Sequence, residues 1–228
     1  MRAWLLASWV ALVGCADVKP LVDGQSFGPV TALVDLFTSC HLMETRDGPV
    51  LFDACWRKEE LTSRLDARGL APRQVATVVL THGHADHVGG LSILSNARVL
   101  ALGAEQETLR THAKEHGDID QVLSDGEVLQ LGERTVRVFS VPGHTAGSAA
   151  YLVEGALVIG DSGLFNGKGE YEPAPRDRSA DPEQAIRSVV ALSERLKLEG
   201  HEVKWIVPAH SAGAEGTEAL DAFVEANR

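Results

Sequence analysis

Basic residues are scarce in this chain: 21 Lys and Arg stand against 32 Asp and Glu, a net charge of -11 over 228 residues. A surface of that sign repels phosphate backbones. With no basic stripe and only 5% aromatic residues, there is also no platform for stacking bases, so nucleic acid is excluded as a partner. The N-terminal apolar run, Ala3 to Val13, is too short to span a bilayer as a helix. No linker, repeat or low-complexity tract divides the sequence, and 44% hydrophobic content suffices for one compact core. No Gly-x-Ser-x-Gly pattern surrounds Ser148, Ser162 or Ser211, so these serines are expected to supply hydrogen bonds rather than a nucleophile.

Cysteine is equally sparse, with three residues and none beyond Cys55. Met1-Arg2, the apolar run and Leu12-Val13-Gly14-Cys15 read as a bacterial lipobox signal. The expected organisation is a signal peptide over 1–14, a tether over 15–29 and one folded domain over 30–228. Lipidated Cys15 would then hold an exported protein at a bacterial membrane surface, the alternative being an ordinary secretory signal. Loss of Arg2 would take the mature chain to about -12. Cys40 and Cys55 remain, in an oxidising compartment. A two-residue turn at Asp47-Gly48 would pair Arg46 with Pro49 and Thr45 with Val50, bringing Cys40 opposite Cys55. That register predicts a cross-strand disulfide at a hydrogen-bonded position, with two buried thiols as the alternative.

Against this plain background, Thr81-His82-Gly83-His84-Ala85-Asp86-His87-Val88-Gly89-Gly90 packs three imidazoles and a carboxylate into six positions. Val75 to Leu80 is a short β-branched run that reads as a buried strand, so the histidines fall in the loop at its end. Residues two apart in extended chain point the same way, so His82 and His84 can share one ion. Val136 to Val141 alternates as a strand, breaks at Pro142-Gly143 and delivers His144. Leu157 to Ile159 runs into Gly160-Asp161, and Trp205 to Pro208 ends near His210. Three further strand ends thus carry three further metal-capable side chains.

The sequence Thr81 to His87, the Pro142-Gly-His-Thr-Ala-Gly147 turn, Gly160-Asp161 and Pro208-Ala-His210 resemble the metallo-β-lactamase superfamily. The resemblance implies an α/β fold, a four-layered αβ/βα sandwich of two mixed β-sheets flanked by helices. It also implies a dinuclear centre, with two zinc ions per chain or iron as the alternative. His82, His84 and His144 would hold one ion, Asp86, His87 and His210 the other, and Asp161 would bridge them. Asp53, closing Pro49-Val-Leu-Phe-Asp53, matches the aspartate that orders the metal loop without being a ligand. The presence of Asp161 and the absence of later cysteines set the chain apart from true β-lactamases and nearer to glyoxalase II and the lactonases. Only 18 residues follow His210, where glyoxalase II carries a glutathione-binding helical domain, so a glutathione thioester is not expected.

The implied chemistry is attack of metal-bound hydroxide on the carbonyl of a small ester, lactone or thioester, with Asp161 and Asp86 as catalytic carboxylates and Asp86 a candidate proton shuttle. Alternatives are a mononuclear-iron persulfide dioxygenase, a phosphodiesterase or a β-lactamase. Substrate contacts are expected from the long loop Leu164 to Ala180, chiefly Tyr171, Lys168 and Arg176, with Arg178 beside them. His112, His116 and His201 read as solvated, whereas His41 could face either way. Helices are predicted over Lys58–Arg68, Ala104–His116, Pro182–Glu199 and Thr217–Asn227. The third is capped by Asp181 and apolar along Ile186, Val189, Val190 and Leu196. No sequence feature fixes the oligomeric state.

Overall fold

The structure is a computed structural model that describes residues 18–113 and 116–228. The signal segment 1–14, Cys15 and the beginning of the tether lie outside the described residues. Among the described residues, no helix is long and apolar enough to cross a membrane.

The short apolar runs become strands of two mixed sheets. The first sheet takes its seven strands in chain order: Ser26–Phe27 (β1), Val30–Asp35 (β2), Thr38–Met43 (β3), Val50–Phe52 (β4), Thr77–Val79 (β5), Arg98–Leu102 (β6) and Gln121–Leu123 (β7). Strands β1 to β4 pair antiparallel, and β4 to β7 pair parallel through helical crossovers. The second sheet contains Val128–Leu131 (β8), Arg134–Ser140 (β9), Ala149–Val153 (β10), Ala156–Gly160 (β11), Trp205–Pro208 (β14) and Ala214–Glu215 (β15). A separate hairpin, Gly163–Phe165 (β12) with Tyr171–Pro173 (β13), opens the interval between β11 and β14. The order β15-β14-β11-β10-β9-β8 brings β11 and β14 side by side in parallel, so the chain segments following both leave the sheet at the same end.

Among the described residues, five α-helices complete the layers: Lys58–Asp66 (α1), Ala85–Val88 (α2), Gln106–His112 (α3), Pro182–Leu198 (α4) and Glu218–Ala226 (α5). Phe52, Val79, Tyr151, Val158 and Val207 pack between the two sheets. Leu61, Leu65 and Leu109 cover the outer face of the first sheet, and Val189, Leu192, Leu196 and Val224 cover that of the second. Burial on both faces explains why β10 and β11 are apolar throughout rather than alternating. In α4 the Asp181 carboxylate accepts the Gln184 N–H at 2.9 Å, as the capping pattern predicts. Its fully buried stripe is Ala185, Val189, Leu192 and Leu196, rotated slightly from the predicted face. The predicted helix over Ala104–His116 begins instead with a 3₁₀ turn, Gly103–Glu105, and ends at His112.

Cys40 and Cys55 are disulfide-bonded, with Cα atoms 4.9 Å apart, but the predicted register is corrected. Met43 lies opposite Val50 and His41 opposite Phe52, so Cys55 has no ladder partner. The turn is built on Thr45 to Gly48, with the Gly48 N–H donating to the Thr45 carbonyl, rather than on two residues. Cys55 reaches Cys40 because the chain after β4 bends sharply, with Asp53 at φ 62 and Cys55 at φ 54.

Candidate metal centre

Four strand ends deliver the seven candidate ligands to one place. His82, His84, Asp86 and His87 follow β5, His144 follows β9, Asp161 follows β11 and His210 follows β14. Between them they draw on both sheets. The tight passage of α2 requires glycine after it, since a Cβ on Gly89 would lie 1.8 Å from the Trp56 carbonyl oxygen.

Three groups of potential ligand atoms converge, each within 4.8 Å: His82 with His84 and His144, Asp86 with His87 and His210, and His82 with His87 and Asp161. In the first triad, His84 Nδ1 lies 3.2 Å from His82 Nε2 and 3.0 Å from His144 Nε2. In the second, His210 Nε2 lies 3.3 Å and His87 Nε2 3.9 Å from Asp86 Oδ2. Asp161 stands between them. Its Oδ1 is 3.1 Å from His87 Nε2, while Oδ2 is 3.4 Å from His144 Nε2 and 3.1 Å from His210 Nε2.

The surroundings fix which ring nitrogen faces inward. Thr81 Oγ1 donates to Asp53 Oδ2 at 2.7 Å, so it is an acceptor toward His82 Nδ1 at 3.1 Å, and the His82 Nε2 lone pair points into the cluster. His87 Nδ1 donates to Asp53 Oδ2 at 2.8 Å, and His210 Nδ1 to the Phe37 carbonyl at 2.8 Å. Both therefore also present Nε2 inward. His87 Nε2 and Asp161 Oδ1 are buried and make no hydrogen bond, despite facing each other. Lone pairs of imidazole and carboxylate aimed at one another need a cation between them, and the nitrogen-oxygen donor set suits a divalent ion such as zinc. The residues present fit the implied metals.

Without metal, protons would have to serve instead. Burial opposes charge on His87 and His210, but Asp161 and its neighbouring carboxylates prevail. They hold His87 well above the usual imidazole range and raise His210 to about 10. Burial also opposes the Asp161 charge, yet His87 and His210 keep its carboxyl well below the usual range. The first triad behaves oppositely: burial lowers His82 and His84, and takes His144 down to about 4. Near neutrality the first triad is thus already deprotonated, whereas His87 and His210 must each give up a proton to bind a metal. One ion is accordingly expected to bind with little proton release, and the other with about two protons released. Affinity for the latter should fall by up to about a hundredfold per pH unit as the pH drops below about 10, where His210 joins His87 in holding its proton. Titration calorimetry in buffers of different ionisation enthalpy reads this directly, and equal release at both steps would contradict it.

Several readings of the sequence are corrected. Tyr171, expected from the sequence to face substrate, is instead buried between Phe165 and Phe223, and its hydroxyl donates to the Ser162 carbonyl at 3.0 Å. Burial also pushes its phenol pKa upward. Lys168 is exposed at the tip of the β12–β13 hairpin, and Arg176, in a 3₁₀ turn with Arg178, is ion-paired with Glu183 on the surface. No hydrogen bond or ion pair among the described residues ties them to the cluster. Ser148 does support the His144 turn, accepting the Thr145 N–H at 3.0 Å, and Ser211 accepts the Phe165 N–H. Ser162 Oγ is buried without a partner. His41 is buried in β3 and kept uncharged, burial and then His87 lowering its pKa to about 3. His112 is exposed, as expected, yet its ring stands edge-on to His84 at 5.6 Å.

Phe37, at the tip of the β2–β3 hairpin, gave no signal in the sequence. Its ring stacks on His210 at 5.9 Å and touches Trp56 at 5.1 Å, both aromatic residues being partly exposed. A cleft of about 400 Å³ lies along Trp56, Lys58, Val88 and His112, adjoining the cluster where His112 meets His84.

The profile of the Metallo-beta-lactamase superfamily matches residues 33–210. A protein of Shewanella sp. described as a hydroxyacylglutathione hydrolase is 31% identical over 159 residues, covering 66% of this chain and 58% of its own. Metallo-beta-lactamase domain-containing protein 1 of Xenopus laevis is 31% identical over 186 residues, covering 77% of this chain and 72% of its own. The chain spans about half the length of the hydroxyacylglutathione hydrolases it matches. Among solved structures, a B3 metallo-beta-lactamase with an active-site glutamic acid superposes with a TM-score of 0.67 at 22% identity, over 92% of this chain and 89% of that one, a likeness of fold.

Proposed function

The chain belongs to the metallo-beta-lactamase superfamily, and from that premise we propose that it is a metal-dependent hydrolase of esters, lactones or thioesters. The observation that carries this reading is the Asp161 carboxylate standing between two complete triads, each able to hold a divalent ion. Two zinc ions bound there would polarise a water molecule and the substrate carbonyl together.

The chain's own residues prepare that site. Asp53, through Thr81 and His87, fixes imidazole orientation, and Asp161 places negative charge between the triads. Asp86, whose side chain is 23% exposed and 3.3 Å from His210, is the carboxylate best placed to pass a proton outward to a leaving group. Burial opposes its charge, but the hydrogen bond to His210 keeps its pKa below the usual range. It would therefore accept and release a proton only transiently. Phe37 and Trp56 offer an apolar edge beside His210, which favours a substrate with an apolar group next to its carbonyl.

The similarity to hydroxyacylglutathione hydrolases supports thioester or ester chemistry, but it covers only part of those proteins. The test is a panel of aryl esters, lactones and acyl thioesters offered to the zinc-loaded full chain. Hydrolysis of at least one class is expected, lost on chelation and restored by zinc. Turnover that survives chelation, or no turnover across the panel with both sites filled, would overturn the reading.

A further inference from the structure

A second buried carboxylate lies beneath the cluster. Glu105 ends the 3₁₀ turn that follows β6 and is 0% exposed. Its Oε1 accepts the Gly83 N–H at 2.9 Å, while Oε2 accepts the Thr145 hydroxyl at 2.7 Å and the Gly147 N–H at 2.9 Å. Gly83 sits between His82 and His84, and Thr145 directly follows His144. One side chain therefore grips both loops that carry the first triad, and those loops spring from different sheets. They close tightly on it: a Cβ on Gly147 would lie 2.5 Å from the Glu105 backbone nitrogen. The grip extends to Ser148, whose Oγ is 2.8 Å from Thr145 Oγ1.

Burying a carboxylate is unfavourable unless its oxygens are fully bonded, and an apolar side chain would fill the same space without that cost. What an apolar residue could not do is tie three donors on two loops to a single point. Asp53 likewise gathers three donors, but all from the single loop that carries Thr81 and His87. The division of labour follows from the contacts. Glu105 makes no hydrogen bond to Asp86, His87, Asp161 or His210, and Asp53 makes none to the His144 turn.

We propose that Glu105 is the positioning residue of the first triad, setting the separation of His82 and His84 from His144 and hence the affinity of that triad for a divalent cation. The proposal rests on reading the cluster as two metal sites. In Glu105→Gln, the amide presents an N–H₂ group where the carboxylate accepted, so at least one donor of Gly83, Thr145 or Gly147 loses its partner and the two loops are free to part.

The experiment uses the full chain, stripped of metal and titrated with zinc against a chromophoric chelator, with His144→Ala and His210→Ala assigning the two binding steps. Glu105→Gln is expected to weaken the step assigned to His82, His84 and His144 by about 10- to 100-fold. The other step should shift by less than about threefold, a selectivity that general loosening of the fold would not give. Thr145→Val, which leaves two of the three bonds, should weaken the same step by a smaller factor. Equal losses at both steps, or no loss, would overturn the proposal. If Glu105→Gln does not fold, Thr145→Val decides on the same terms. Failure of the parent chain to bind zinc at the first triad would instead overturn the two-metal reading itself.

Discussion

Asp161→Ala is expected to cost at least about a thousandfold in turnover, roughly 4 kcal/mol of barrier, while leaving the fold intact. Among the described residues, Asp161 is the one carboxylate paired with histidines of both triads, with Oδ1 facing His87 and Oδ2 facing His144 and His210. Its removal leaves imidazoles converging without the anion that offsets two cations. The backbone has little stake in this side chain: the Asp161 carboxylate accepts from His210 and from no backbone N–H among the described residues. Far-ultraviolet circular dichroism should therefore match the parent while bound metal falls below two ions per chain. Activity within tenfold of the parent would remove Asp161 from the centre of the account.

Asp53→Asn should do different damage. Asp53 is buried and accepts three hydrogen bonds, from the Thr81 N–H at 2.7 Å, the Thr81 hydroxyl at 2.7 Å and His87 Nδ1 at 2.8 Å. Its backbone lies at φ 62, which asparagine tolerates, so the substitution changes hydrogen bonding without adding strain. The amide has one acceptor oxygen, and its N–H₂ group confronts donors. His87 can satisfy that N–H₂ only by turning Nδ1 into an acceptor, which places its proton on Nε2 and removes it as a ligand. Unsatisfied buried groups cost about 1–3 kcal/mol each, so a stability loss of about 2–4 kcal/mol is expected. Affinity at Asp86, His87 and His210 should fall about 10- to 100-fold, as for lost outer partners of metal ligands elsewhere. Denaturant midpoints and zinc titration measure the two effects separately. A variant that kept parental stability and both ions would show that the Asp53 bonds are incidental.

What the sequence revealed, and what it concealed, follows from where the signal lies. His82, His84, His144, Asp161 and His210 were legible because each stands just past a short apolar run, and two sheets packed face to face bring such ends together. Asp53 was found through the resemblance. Glu105 stands three residues past β6 and obeys the same rule of placement, but a glutamate opening a helix looks like an ordinary first-turn acid, and its partners are 22 to 42 residues distant. Tyr171 misled because a tyrosine in a charged, proline-rich loop looks available. The β12–β13 hairpin folds it inward, and the sheet period there was too short to read. The Cys40–Cys55 pairing is legible from the cysteine count, but positive φ at Asp53 and Cys55, invisible in residue type, makes it rather than a hairpin ladder. Phe37 escaped notice because its contact with His210 spans 173 residues.

The central claim is that these seven side chains form two metal sites sharing Asp161. Elemental analysis of the protein purified without chelators or added metal tests it most directly. About two divalent ions per chain, falling to about one in His210→Ala and in His144→Ala, is the expected result. A single iron per chain, unaffected by loss of His210, would contradict it.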